Sequence, residues 1–270
     1  MCERYGATVS RLNSEWGVAV DPAALRSHLK STGADVVAMV HAETSTGVCN
    51  PVRELAAIAR DHGALTIVDA VTSLGGVPLD VGGWGIDACY SCTQKCLAGP
   101  SGLAPIVFGP RALARRVKSR SFYFDLQLLE DYWLRRKYHH TMSSTLIYAL
   151  YESLAIVEEE GLEARWARHE RNHRTLVASI AELGLTLLPP EPDRLWTLNA
   201  VRVPEGVDEP SVRKHLLDEY NIEIGAGLGP LAGKIWRVGL MGASSSPRLI
   251  ILLRGAMESA LAKQGHRVHV

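Results

Sequence analysis

The chain lacks any excess of charge, because its 29 Lys and Arg residues equal its 29 Asp and Glu residues. No basic stripe or block of like charge stands out, which argues against nucleic acid as a partner. The roughly 18 consecutive apolar residues of a membrane span are also missing, so no membrane partner is expected. With 47% hydrophobic residues, the composition excludes collagen, coiled coils and largely disordered chains.

Cysteine is scarce, and its five residues are an odd number. Cys89 and Cys92 have CxxC spacing, but no second pair completes a zinc site, so no metal is expected. Both are predicted to be strand residues that pack in the core of a protein from a reducing compartment. The first ten residues have no apolar run behind a basic region and do not predict a signal peptide. These features together predict a cytoplasmic protein.

Short apolar runs in the first half of the chain predict buried strands at residues 35–40, 64–68, 86–91 and 103–108. A first helix begins at Asp21, an N-cap followed by proline, and ends at Gly33. A second helix follows Asn50 and ends at Gly63. Helices that separate strands in this way predict an α/β fold, with a mainly parallel sheet and helices on both faces.

The pattern changes after residue 141 to long helices and loosely alternating strands. The predicted helices cover residues 144–160, 162–183, 210–220 and 247–263, and the predicted strands cover 196–203 and 234–240. This pattern predicts a smaller α+β domain with antiparallel strands. We therefore expect three regions, which are a partial large domain (1–142), a connecting helix (143–161) and a small C-terminal domain (162–270).

Two charged residues fall at strand ends, where open parallel sheets bind their ligands. Asp69 ends the apolar run 65–68, and Lys95 lies between the strand 86–91 and a turn rich in glycine and proline. Taken singly, Asp69 is also compatible with a turn residue and Lys95 with a solvated one. Together they are the two protein groups that pyridoxal phosphate needs, a Schiff-base lysine and an acid that pairs with the ring nitrogen.

Five motifs follow one another along the chain at residues 41–47 (HAETSTG), 67–76 (IVDAVTSLGG), 85–95 (GIDACYSCTQK), 138–141 (YHHT) and 237–242 (RVGLMG). In this order they resemble the class V aminotransferases of fold type I, most closely the alanine–glyoxylate and serine–pyruvate aminotransferases. The resemblance covers essentially the whole chain. It implies a large domain that binds pyridoxal 5'-phosphate and a chain that acts as a homodimer.

The resemblance also implies roles for residues around the cofactor. Lys95 matches the lysine that forms the Schiff base and then moves a proton on the substrate. Asp69 matches the acid that keeps the pyridine nitrogen protonated. Val71 would pack on the ring face, Thr44 would bond near the phenolic oxygen, and Gln94 would lie beside the phosphate.

Three further residues match family positions that bind more distant groups. Tyr138 and Thr141 match residues that reach the phosphate of the partner subunit's cofactor. Arg237 matches the arginine that holds the substrate α-carboxylate, which a planar guanidinium binds in bidentate fashion. The resemblance therefore implies a transaminase that moves an amino group from alanine or serine to glyoxylate or a similar small 2-oxo acid.

Two alternatives stay open at this point. One is another enzyme of the same fold, a cysteine desulfurase or a β-eliminating lyase. Desulfurases resemble one another in having a histidine directly before the Schiff-base lysine, so Gln94 argues against that branch. The other is a non-catalytic or weakly active remnant that keeps the dimer surface and the small domain.

The chain begins at a point where the family's large domain is already under way. Residues 1–16 contain neither the Gly/Ser-rich turn that cradles the cofactor phosphate nor the aromatic residue that stacks on its ring. A fragment, a shortened reading frame and a chain that no longer binds cofactor well all fit this departure. Because each lost charge-assisted hydrogen bond costs roughly 1.5–3 kcal/mol, we expect the 270 residues alone to bind pyridoxal phosphate weakly and transaminate poorly.

Overall fold

A computed structural model describes residues 2–266 of the chain. Met1 and residues 267–270, where the predicted large domain begins and the predicted small domain ends, lie outside the described residues. The helices are α1 (Pro22–Thr32), α2 (Val52–Asp61), α3 (Pro110–Ala114), α4 (Leu126–Arg135), α5 (Ser144–Glu160), α6 (Leu162–Glu182), α7 (Glu209–Tyr220) and α8 (Pro247–Lys263). The strands are β1 (Val36–Val40), β2 (Ala42–Glu43), β3 (Val48–Cys49), β4 (Leu65–Asp69), β5 (Ala88–Tyr90), β6 (Ile106–Phe108), β7 (Leu198–Arg202), β8 (Gly225–Ala226) and β9 (Ile235–Gly239).

The first sheet has the strand order β1-β4-β5-β6. Strands β1, β4 and β5 run parallel, whereas β6 pairs antiparallel with β5. In this register Val40, Asp69 and Tyr90 lie side by side at the carboxyl ends of the three parallel strands. The α/β fold with a mainly parallel sheet is confirmed, and it gathers the ends of these strands at one edge.

Helices α1 and α2 begin in different ways. The Asp21 side chain accepts a hydrogen bond from the amide of Ala23 at 2.9 Å and so caps α1 as predicted. Asn50 makes no such cap on α2. Its amide nitrogen donates to the Val40 carbonyl at 2.9 Å, and its amide oxygen accepts from the Val20 backbone at 3.0 Å. Asn50 therefore ties the end of β1 to the segment before α1.

The two helices pack on one face of this sheet. Leu25 and Leu29 of α1 meet Leu55 and Ile58 of α2 over the side chains of β1. Side chains of the opposite face are exposed, namely Val36, Ile67, Tyr90 and Ile106. Alternation along each strand places Asp69 on this second face together with Ile67 and Tyr90.

The second sheet is antiparallel, as the sequence predicts, and its strand order is β7-β9-β8. Its core centres on the fully buried Trp236 of β9, which packs with side chains of α6, α7 and α8. Helices α5 and α6 meet at Gly161, whose φ of 79° breaks the helix there. Between residues 2 and 266 no helix combines the length and apolarity needed to cross a membrane. The three-region division of the chain stays a prediction.

Candidate active site

Asp69 is held at the end of β4 by two donors. Its Oδ1 accepts from the Val71 amide at 2.8 Å, and its Oδ2 accepts from the Tyr90 hydroxyl at 2.8 Å. Burial and the hydrogen bond to Asp69 raise the pKa of Tyr90 to about 12. The phenol therefore stays protonated and keeps donating to the carboxylate at neutral pH. No local sequence signal points to Tyr90, and its place beside Asp69 follows only from the pairing of β4 with β5.

Lys95 lies in the turn after β5, and this turn sits against the turn after β4. The Cys96 thiol donates to the Thr72 carbonyl at 3.4 Å, and the Cys92 thiol donates to the Val71 carbonyl at 3.8 Å. Burial raises the pKa of Cys96 to about 12, so the thiol remains a donor. Cys89 and Cys92 are buried, as predicted for core residues, but only Cys89 lies in a strand, because β5 ends at Tyr90. The half-buried Lys95 side chain makes no hydrogen bond or ion pair with residues 2–266.

Three other predicted residues flank these two turns. Val71 follows Asp69 at two residues and is half-buried, and Gln94 is exposed directly before Lys95. Thr44 is half-buried in the turn that joins β2 to β3. The first sheet thus places Asp69, Val71, Gln94 and Lys95 on neighbouring turns at one edge.

Arg237 of β9 meets Thr44 across 193 positions of sequence. Its Nε donates to the Ala226 carbonyl at 2.6 Å, and its Nη1 donates to the Thr44 carbonyl at 3.1 Å. Its Nη2 has no hydrogen-bond partner among residues 2–266. The guanidinium is therefore fixed on one side and free on the other to bind an anion.

Tyr138 and Thr141 are not brought into this group. Their hydroxyls bond to each other at 2.9 Å, and both residues are exposed. They line a surface cavity of about 460 Å³ together with Tyr132, His140 and Tyr148. The predicted pair is thus available to a neighbouring molecule and does not bond to Asp69 or Lys95 in the same chain.

Two buried histidines near the site stay neutral. His41 follows β1 on the face opposite Asp69, and burial lowers its pKa from 6.5 to about 4. Burial likewise lowers the pKa of His169 in α6 to about 4. Neither side chain is charged at neutral pH.

The donor set fits pyridoxal phosphate. The Asp69 carboxylate, half-buried and aligned by two donors, suits a protonated ring nitrogen, and the free amine of Lys95 suits an aldehyde. When bound, this cofactor supplies an electron sink for bonds broken at the amino-acid Cα. Asp69 and Lys95 are thus the residues of this edge that could hold the ring nitrogen and the aldehyde of pyridoxal phosphate, and Arg237 has a nitrogen that could bind an anion.

Comparison with known proteins gives the family. Residues 1–237 match the family model described as aminotransferase class-V. The chain is 40% identical to the (S)-ureidoglycine–glyoxylate transaminase of Bacillus subtilis, over 97% of this chain and 69% of that protein. It is 36% identical to the alanine–glyoxylate aminotransferase of Drosophila melanogaster, again over 97% and 69%.

A solved structure agrees with these relatives. The alanine–glyoxylate aminotransferase from Nostoc sp. superimposes with a TM-score of 0.94 at 43% identity, over 96% of this chain and 70% of that chain. The chain thus spans about 70% of the length of the proteins it matches. It belongs to the class-V aminotransferases, which use pyridoxal 5'-phosphate.

Proposed function

We propose that the chain transfers the amino group of alanine or serine to glyoxylate or a similar small 2-oxo acid, with Lys95 holding pyridoxal phosphate through a Schiff base. The names of the two curated relatives share glyoxylate as the acceptor, which supports this choice. The proposal includes a homodimer in the cytoplasm. The five cysteines, all free, support a reducing compartment.

One observation carries the proposal. Two neighbouring strand ends hold a doubly hydrogen-bonded carboxylate, Asp69, and a lysine that has no partner among residues 2–266, Lys95. In the proposed reaction Asp69 keeps the ring nitrogen protonated, and Tyr90 keeps Asp69 in place. Lys95 supplies the amine that binds the aldehyde and moves a proton at the substrate Cα. Arg237 binds the substrate carboxylate with its free nitrogen.

The remaining predicted residues complete the proposed cofactor site. Val71 packs on the ring, Thr44 bonds near the phenolic oxygen, and Gln94 lies beside the phosphate. Tyr138 and Thr141 reach the phosphate of the other subunit's cofactor. Their exposure and their mutual hydrogen bond at 2.9 Å support this cross-subunit role.

A second candidate concerns the amino donor alone. The 40% identity to a ureidoglycine–glyoxylate transaminase favours (S)-ureidoglycine as the donor, with the same acceptor and the same residues. The two candidates separate when the rate of glycine formation from glyoxylate is compared for alanine, serine and ureidoglycine. A preference of tenfold or more in kcat/KM, about 1.4 kcal/mol, identifies the donor.

The assignment of Lys95 is tested with Lys95→Ala and, as a matched control, Lys214→Ala on the exposed side of α7. After incubation with pyridoxal phosphate and borohydride, the unsubstituted chain and Lys214→Ala should carry reduced cofactor on the peptide that contains Lys95. Lys95→Ala should carry none and should not transaminate. A reduced adduct on Lys95→Ala would mean that another lysine is the nucleophile.

The same assay distinguishes the two open alternatives. A chain that binds cofactor at Lys95 but transaminates no donor is the non-catalytic remnant. A chain that releases pyruvate from serine without any 2-oxo acid acceptor is a lyase. Formation of glycine from glyoxylate, dependent on Lys95, excludes both.

A further inference from the structure

A polar cluster at the junction of α5 and α6, with two buried and two half-buried members, lies outside the set of proposed cofactor and substrate residues. We name it the α5–α6 clamp, and its members are Glu160, Arg165, Arg168 and His169. The Arg165 side chain is only 3% exposed and donates to Glu160 Oε2 at 2.5 Å. Arg168 donates to both Glu160 oxygens, at 2.5 and 3.0 Å. The hydrogen bonds from Arg168, and after them the one from Arg165, lower the pKa of Glu160 to about 2.

Arg165 extends from this cluster to the lysine turn. Its Nη2 donates to the carbonyl of Cys96 at 2.6 Å. That carbonyl belongs to the residue directly after Lys95, within a turn closed by the hydrogen bond from the Ala98 amide to the Lys95 carbonyl at 2.9 Å. A buried cation is therefore bonded to the main chain next to the proposed nucleophile.

Arg168 and His169 extend in the other direction, to the loop after β9. Arg168 Nη1 donates to the carbonyls of Gly242 at 3.0 Å and Ser245 at 2.7 Å. The Gly242 amide donates to His169 Nε2 at 3.0 Å, so His169 carries its proton on Nδ1, which donates to the Arg165 carbonyl at 2.8 Å. This loop continues the strand that carries Arg237.

The two segments bound by the clamp also touch each other. Gly242 has a φ of +55°, and a Cβ atom built on it would lie 2.7 Å from the Cβ of Ala98 and 3.0 Å from the carbonyl oxygen of Cys96. A side chain at this position would push the loop away from the lysine turn. The lysine turn and the loop after β9 therefore meet at this glycine, and each is bonded to its own arginine of α6.

We propose that Arg165 and Arg168 are positioning residues that align the two halves of the active site separately, Arg165 through the Lys95 turn and Arg168 through the loop that follows the Arg237 strand. Buried ion pairs recover little net stability after desolvation, whereas multidentate guanidinium contacts fix geometry closely. One carboxylate, Glu160, holds both guanidiniums and so sets the distance between the two halves. This inference rests on the proposed roles of Lys95 and Arg237.

The test uses Arg165→Met and Arg168→Met, with Arg174→Met as the matched control. Arg174 lies on the same helix, is exposed, and has Glu170 as its one ion-pair partner within the described part of the chain. Amide hydrogen exchange of the chain without cofactor reports each half directly. Arg165→Met should speed exchange within residues 94–99, and Arg168→Met should speed exchange within residues 242–246. Arg174→Met should change neither segment.

Kinetics separate positioning from a merely structural role. Arg165→Met should slow the covalent capture of pyridoxal phosphate at Lys95, and kcat, by about tenfold or more, because misplacing a reacting group by a fraction of an ångström has such effects. The KM for the amino donor should stay within about twofold of its original value. Arg168→Met should raise the KM for the amino donor about tenfold, as expected when Arg237 loses one charge-assisted hydrogen bond to the substrate carboxylate. It should leave the rate of pyridoxal phosphate capture at Lys95 unchanged.

Three outcomes overturn the inference. In the first, Arg165→Met and Arg168→Met change the capture rate and the KM for the amino donor equally. In the second, neither variant changes either quantity, and in the third Arg174→Met has the same effects as the other two. If a methionine variant does not fold, Arg165→Lys and Arg168→Lys take its place, since each keeps the charge but not the planar guanidinium and should give the same pattern at smaller amplitude. Failure of the unsubstituted chain to capture cofactor at Lys95, even with pyridoxal phosphate in large excess, would instead refute the proposed function, and the inference with it.

Discussion

Asp69 is held by the Val71 amide and the Tyr90 hydroxyl, and one substitution can remove its charge while keeping its shape. Asp69→Asn keeps the shape of the side chain and an oxygen that accepts from the Val71 amide. A neutral amide cannot hold a pyridine nitrogen protonated. We expect the fold to be kept and kcat to fall by roughly 10²–10³-fold, the size of effect seen when one electrostatic group is removed from an active site.

Tyr90→Phe provides the graded comparison for this prediction. It removes the donor to Asp69 Oδ2 but leaves the charge, so the rate should fall far less than in Asp69→Asn. Circular dichroism checks the fold of each variant, and initial rates at saturating substrate measure the effect. Near-normal turnover in Asp69→Asn would remove Asp69 from its proposed role.

The sequence locates the candidate site residues better than it predicts their partners. Asp69 and Lys95 are recognisable as candidates because Asp69 ends a short apolar run and Lys95 lies in the turn after the next predicted strand, which are local signals. Tyr90 is not, because its hydrogen bond to Asp69 depends on how β4 and β5 align. The contact of Arg237 with the Thr44 carbonyl joins two sheets, and local sequence carries no signal for it.

At the scale of helices and strands, two buried histidines, His41 after β1 and His169 in α6, determine how the free energy of unfolding depends on pH. In the folded chain the pKa of His41 and that of His169 are lowered from 6.5 to about 4. Between pH 4 and 6.5 the unfolded chain therefore binds more protons than the folded chain. The contribution of the two neutral histidines to the free energy of unfolding is complete above pH 6.5 and is lost as the pH falls toward 4. At 1.36 kcal/mol per pKa unit, the loss is up to about 3 kcal/mol for each histidine.

Urea unfolding at several pH values between 7.5 and 4.5 measures this dependence. His169→Gln retains a donor and an acceptor for the Arg165 carbonyl and the Gly242 amide but does not titrate. The slope of the unfolding free energy against pH should therefore be smaller in this variant. A free energy that is flat between pH 7 and 5 in the unsubstituted chain contradicts the prediction.

Long elements with local end signals are predicted closely, and short ones are not. Helices α5, α6 and α8 agree with prediction to within a residue, because Gly161 and the Ser246 cap mark their ends. The two-residue strands β2, β3 and β8 and the helices α3 and α4 are absent from the prediction. Strands of that length exist only through contacts with their partners, which the local pattern does not contain.

For the whole molecule, the exposed aromatic and aliphatic side chains of α4 and α5 predict a two-fold dimer. Trp133, Leu134, Tyr148 and Tyr151 are each more than half exposed, and such patches mark association surfaces. A self-complementary interface here would also carry Tyr138 toward the other subunit. Light scattering at micromolar concentration should give twice the chain mass of 29.4 kDa.

A paired substitution provides the control for this prediction. Tyr148→Glu with Tyr151→Glu places two charges in the patch and should yield monomers with an unchanged circular dichroism spectrum. Lys214→Glu with Leu217→Glu, at exposed positions of α7, should leave the dimer intact. A monomeric unsubstituted chain would contradict the dimer and the cross-subunit role of Tyr138.

Arg237 is anchored by the main chain alone. Its two bonded nitrogens meet the carbonyl oxygens of Thr44 and Ala226, and every amino acid supplies such an oxygen. A substitution at Ala226 can therefore alter the wall of the proposed substrate pocket without moving the guanidinium that we propose binds the carboxylate. A site built in this way can change its preferred amino donor through single mutations during evolution while it continues to accept amino acids as a class.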